Sequence, residues 1–147
     1  MEMLEHFAGR KGRPEVQATA FFGKTYGEAV SLLLEARDYL TYGEPVDRAR
    51  LAPLDRLRLC CETMRLTARL TEVMAWLLAQ RAVHAGEITQ EEALGHHRAL
   101  GDVSVCIDAL DAAEAAMPRG LVSLLERSRA LYIRVARLDE LARRQFH

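Results

Sequence analysis

The chain has 147 residues, half of them apolar, which is enough for a hydrophobic core and too apolar for a disordered polypeptide. A formal net charge of -1 argues against a general nucleic-acid or membrane-surface binder. No apolar run approaches the roughly 20 residues that span a bilayer, and three cysteines, two of them adjacent, fit reduced thiols in a cytoplasm.

Residues 1–14 carry Gly9, Gly12 and Pro14 beside Arg10, Lys11 and Arg13. They read as a flexible arm without the apolar core of a signal peptide. A first helix is predicted over roughly 17–42, from the repeat of Phe22, Tyr26, Ala29, Leu33, Ala36 and Leu40. Phe21, Leu32 and Tyr39 widen its apolar face, and Gly43 suits a left-handed cap. Residues 43–52 read as a linker.

The next stretch, Pro53 to Gly86, contains no internal glycine or proline, so a helix over 53–85 is predicted, with Pro53 in its first turn and Gly86 past its end. One apolar stripe is Leu57, Cys61, Met64, Ala68, Thr71, Ala75, Leu78 and Ala82; a second is Leu59, Leu66, Leu70, Val73 and Leu77. Two apolar sides imply a rod sandwiched between partners. Beyond it, Thr89 and Glu92 match a capping box, and Gly101–Asp102 suggests a stop followed by an N-cap. Short helices are therefore expected within 89–116, the second carrying Val103, Cys106, Ile107, Leu110 and Met117. A last helix over 118–145 follows Pro118, with Leu121, Leu124, Leu125, Ser128, Leu131, Tyr132, Val135, Leu138, Ala142 and Phe146 on its apolar side. The predicted fold is all-α: one domain spanning 1–147, a three-helix up-down-up bundle with short additional helices between the second and third long ones.

Charge is uneven along the chain: residues 87–118 sum to -6, whereas 45–86 and 119–147 sum to +3 and +4. With its glycines and short helices, 87–118 is expected to be a mobile acidic segment, the least stable part of the fold and an adaptable partner surface.

Residues able to carry chemistry are sparse. Glu92 and His96 are four apart and His97 is adjacent, but neither a zinc-protease spacing nor paired cysteines are present. His84 is placed to meet the rod's C-terminal dipole. Cys60, Cys61 and Cys106 sit in helical apolar context, as core thiols do. Neither a catalytic triad nor a phosphate-cradling loop is visible, so no enzyme activity, metal or cofactor is expected. Arg127, Arg134, Arg137 and Arg144 fall on one flank of the last helix. They support an alternative reading as a small DNA-associated regulator, which the near-neutral total charge disfavours.

Between the rod's apolar stripes lie Arg58, Glu62, Arg65, Arg69, Glu72 and Trp76. Arginine and tryptophan anchor interfaces, so Arg58, Glu62, Arg69, Glu72 and Trp76 are the candidate partner-binding residues. Asp139 lies inside the apolar arc of the last helix, where a carboxylate needs a counter-ion. If that helix runs antiparallel to the rod, 139 aligns with 65. An Asp139–Arg65 ion pair is then expected, with Arg69 as second choice. A wide apolar face on the first helix (Phe21, Leu32, Tyr39) is expected to serve a homodimer.

The string Glu62-Thr63-Met64-Arg65-Leu66-Thr67-Ala68-Arg69-Leu70, followed by Ala75-Trp76-Leu77-Leu78-Ala79-Gln80-Arg81-Ala82-Val83 and Gly86-Glu87, resembles the RcdA-like family of alphaproteobacteria, the regulators of CtrA degradation, also described as DUF1465. Pro118, Leu121, Ser128 and Arg137-Leu138-Asp139 extend the likeness. It is dense over 62–92, moderate over 19–43 and 118–140, and poor over 93–117. The resemblance implies a cytoplasmic helical-bundle adaptor that helps deliver the response regulator CtrA, and other substrates, to the ClpXP protease. The implied partners are ClpX, the response regulator CpdR and the cyclic-di-GMP effector PopA. The resemblance also implies a flexible tail after the last helix; this sequence stops at His147, a departure that bears on any tail-dependent cargo step.

Overall fold

A computed structural model describes residues 22–96, 99–108 and 116–145, and it is all-α, with no strand among them. The expected arm at 1–14, the start of the first helix, Phe21, His97, Leu110 and Phe146 lie outside the described residues.

Helix α1 covers 22–38 and runs directly into a π-helical turn, Tyr39–Gly43, and then α2, Glu44–Ala49. The stretch expected to be a linker is thus mostly helical. Gly43 is not a left-handed cap: its φ is -81°. Close approach is the reason for glycine here, because a Cβ at 43 would sit 2.8 Å from Tyr39 Cδ2. The Tyr39 hydroxyl donates to Asp47 Oδ2 at 3.0 Å and so pins the ring across the turn.

Helix α3, Pro53–His84, is unbroken over 32 residues, about 48 Å at the standard rise. Gly86 ends it at φ 76°, with Glu87 N–H donating to the Ala82 carbonyl and Gly86 N–H to that of Val83. That pair of bonds satisfies carbonyls the helix leaves open. Next come α4, Gln90–Gly95, a 3-10 turn at Leu100–Asp102, α5, Ser104–Ile107, and finally α6, Arg119–Gln145. Thr89 Oγ1 caps α4 by accepting from Glu92 N–H at 3.1 Å. Asp102 is not the N-cap of α5; Val103 holds that position without a side-chain bond.

The second apolar stripe of α3 is buried: Leu59, Leu66, Leu70, Val73 and Leu77 meet Ala29, Leu32 and Ala36 of α1 and Leu121, Leu125, Leu131 and Val135 of α6 in one core. The first stripe is not. Leu57, Met64 and Leu78 are 61%, 67% and 49% exposed, and Cys60 and Cys61 also face solvent, leaving Cys106 as the buried thiol. The rod is therefore covered on its second stripe and on the polar arc beside it, rather than on two apolar sides.

Chain direction differs from the predicted up-down-up order. Phe22 packs edge-on to His84 and Arg81 lies over Tyr26, so α1 and α3 are antiparallel, as expected. Arg127 pairs with Glu35 and Arg134 with Glu28, so α1 and α6 are antiparallel as well. Consequently α3 and α6 run parallel: Gly120 lies beside Tyr39, Arg69 reaches Leu125, and Trp76 reaches Asp139. The described residues between α3 and α6 lie on the return crossover such a pair needs. Leu100 sits at the Asp139 level and Asp108 back at the level of Arg69.

Gly43→Ala tests the π-turn. Alanine favours a helix by about 1 kcal/mol over glycine, but displacing the tethered Tyr39 ring costs about 1–3 kcal/mol. Denaturant unfolding should show net destabilisation in the wild-type background and a neutral or stabilising effect when Tyr39 is Ala.

Candidate functional site

Parallel packing of α3 on α6 leaves a cleft that the crossover fills, and buried polar side chains hold it there. Asp139 is 1% exposed and accepts four hydrogen bonds. Trp76 Nε1 donates to its Oδ1 at 3.1 Å, the Leu100 backbone N–H to its Oδ2 at 3.0 Å, and Arg143 Nε to both oxygens. Arg143 also donates to the Leu94 carbonyl at 3.2 Å, tying in the end of α4. Tyr132, fully buried, donates its hydroxyl to the Leu100 carbonyl at 2.7 Å. Both backbone polar groups of Leu100 are thereby satisfied by side chains.

The expected Asp139–Arg65 pair is not formed. Because α6 is parallel to α3, position 139 lies at Trp76, about three helical turns from 65. Arg65 instead pairs with Glu62 at 3.2 Å, and its Nε is buried without an acceptor. The counter-ion of Asp139 is Arg143, one turn along its own helix.

Arg69 is the second staple. Its side chain is 1% exposed and donates from Nε to the Cys106 carbonyl at 2.6 Å, from Nη1 to the Leu125 carbonyl at 3.0 Å and from Nη2 to the Asp108 carbonyl at 2.5 Å. Arg129 Nε adds a bond to the Ile107 carbonyl at 2.7 Å. The C-terminal carbonyls of α5, which a four-residue helix cannot satisfy itself, are thus taken by two guanidinium groups. Desolvation, reinforced by nearby Arg65, lowers the Arg69 pKa to about 10. The group stays charged at neutral pH, and its burial costs stability that these bonds offset. Burial also raises the Cys106 thiol and the Tyr132 phenol above their usual values.

Of the candidate partner-binding residues, Glu62, Arg69 and Trp76 are buried and unavailable at the surface. Arg58 is half-buried beside Asp55, and Glu72 is also half-buried. The spacing grouped these side chains on one face correctly. Arg69 on that face meets the chain's own crossover and α6, and Trp76 meets α6. Tyr132, Ser128, Arg129 and Arg143 were missed as site residues; the i+4 spacing of Asp139 and Arg143 was the available signal for one of them. On α6, Arg127 and Arg134 are engaged by α1 carboxylates and Arg144 by Glu140. No group of three potential metal ligands occurs among the described residues, and no helix among them is long and apolar enough to cross a membrane.

On the outer side, Leu33 and Leu34 of α1 are 41% and 45% exposed. With Leu40, Met64, Thr67 and Thr71 they line an apolar groove between α1 and α3. Leu32 is buried and Tyr39 half-buried, so the apolar surface left open on α1 is not the one expected from those two residues.

The family described as "Protein of unknown function (DUF1465)" matches residues 14–147. The chain belongs to this family. Among solved structures it is similar to RcdA from Caulobacter crescentus CB15, with 35% identity, a TM-score of 0.67, and coverage of 82% of this chain and 89% of that one. No curated protein matches it by sequence. For this family member, Asp139→Ala should cost about 3–5 kcal/mol, as when a buried ion pair is broken. Denaturant titration should show it, together with a change in the emission of Trp76, the sole tryptophan.

Proposed function

We propose that this protein is a non-enzymatic adaptor in regulated proteolysis, acting in the cytoplasm as a homodimer to help deliver a CtrA-like response regulator to the ClpXP protease. The observation that carries the reading is the likeness to RcdA over most of both chains. Two features of the molecule support it. Its buried polar side chains are engaged in holding the fold, which suits a binding protein. Its outer α1–α3 groove is apolar and continues along Leu57, Met64 and Leu78. Exposed apolar surface of this kind marks an interaction site.

A second copy suits that groove. Leu54, Leu57, Cys61, Met64, Ala68, Thr71, Ala75 and Leu78 alternate in steps of three and four along α3, the spacing with which helices pack against one another in coiled coils. The basic flank of α6 gives the DNA reading little support, since Arg127 and Arg134 serve contacts to α1.

Two measurements test the proposal. Pull-down with ClpX, CpdR and CtrA should recover this protein, and recovery of none of them rejects the adaptor role. Sedimentation at ~100 µM should show a dimer, since association is set by protomer concentration. Met64→Asp should weaken the dimer by at least about tenfold, equivalent to 1.4 kcal/mol, while leaving the helical content unchanged.

A further inference from the structure

The crossover segment 99–108 lies in the α3–α6 cleft as a guest in a peptide site would. It is held through its backbone: both polar groups of Leu100, and the carbonyls of Cys106, Ile107 and Asp108. Only Leu100 and Cys106 have fully buried side chains, whereas Gly101, Asp102, Ser104, Val105 and Asp108 are exposed. Contacts of this type do not depend on side-chain identity, so another segment that follows the same turn-and-helix course can make them.

The cleft is also better suited to a more acidic guest. Arg65, Arg69 and Arg129 crowd the end of α5, close enough for Arg65 and Arg129 to disfavour the charge on Arg69. The crossover offers Arg69 and Arg129 backbone carbonyls there. The Asp108 carboxylate points to solvent, and Arg65 Nε stays buried without an acceptor. Carboxylate acceptors would convert neutral hydrogen bonds into charge-assisted ones, which are about twice as strong.

We propose that this cleft is a docking site for an acidic segment of a partner protein, which displaces residues 99–108, takes up their turn-and-helix course and sets its carboxylates on Arg65, Arg69 and Arg129. The guest needs one large apolar residue to replace Leu100, with acidic residues six to eight positions further on, where Cys106–Asp108 now lie. The proposal goes beyond the adaptor reading and does not depend on it.

Trp76 donates to Asp139 beside Leu100, so its emission reports displacement. The probe is a synthetic peptide carrying residues 99–105 followed by three aspartates, which fall at the positions of Cys106–Asp108, titrated into the full chain. Its control ends in three lysines. The expected result is a saturable emission change with the aspartate peptide that weakens with added salt, faster amide exchange at Leu100 when bound, and no response to the lysine peptide. Arg129→Ala should weaken binding about tenfold and Arg129→Glu further, with far-ultraviolet circular dichroism unchanged because Arg129 is only half-buried. Equal binding of both peptides, affinity indifferent to both Arg129 variants, or no response at ~1 mM overturns the proposal. Exchange of 99–108 only through global unfolding overturns it as well.

Discussion

The α3–α6 pair depends on a crossover that is fastened by charge as much as by apolar area. Parallel neighbours require the chain to return the length of the bundle, and the returning residues here are acidic and interrupted by glycine. Such a segment buries little. Leu100 and Cys106 are its apolar anchors between 99 and 108, and burying them alone does not account for an ordered path. Asp139 and Arg69 supply the rest by satisfying backbone groups that a three-residue turn and a one-turn helix leave open. Each staple is costly alone, since a buried ion is unfavourable until its lone pairs or protons are met. Together with Tyr132, Arg129 and Arg143 they form a network that is satisfied when the crossover is in place and short of partners when it is not.

That arrangement divides α3 into two working faces. Inward, Leu66, Leu70 and Val73 join the core, with Glu62, Arg69 and Trp76 flanking them under the crossover. Outward, a weaker stripe of alanine, threonine, leucine and methionine remains uncovered. The outward stripe has too little large apolar bulk in its middle, Ala68, Thr71 and Ala75, to demand cover within one chain. Its larger side chains, Leu57, Met64 and Leu78, are exposed.

The helices were legible in the sequence because periodicity and caps are local. Pro53 and Gly86 bracket α3 as their φ preferences dictate, and Thr89 starts α4. Chain direction was not legible from periodicity, which specifies which residues share a face and says nothing about the sense of the neighbour. The connector held a clue that the stripes did not. Antiparallel helices are joined by about 2–8 residues, whereas 85–118 separates α3 from α6. A connector of that length fits a return crossover, and with it the Asp139 partner moves from Arg65 to Trp76. The polar arc was read as a surface for the same reason: burial of an arginine follows from what crosses over it, which lies 37 residues away in sequence.

Why the arc carries arginine and tryptophan then has a physical answer within the fold. A guanidinium presents five donors in a fixed plane, so Arg69 can reach carbonyls of α5 and α6 at once. An ammonium, with fewer donors and stronger hydration, would be harder to bury there. The indole of Trp76 combines an apolar body with one donor, matching a position that is core on one side and carboxylate on the other. Interface anchors and structural staples draw on the same residue types because both must desolvate a polar group against backbone. A face of this composition is therefore suited to gripping a polypeptide segment, and in this molecule the segment it grips is its own.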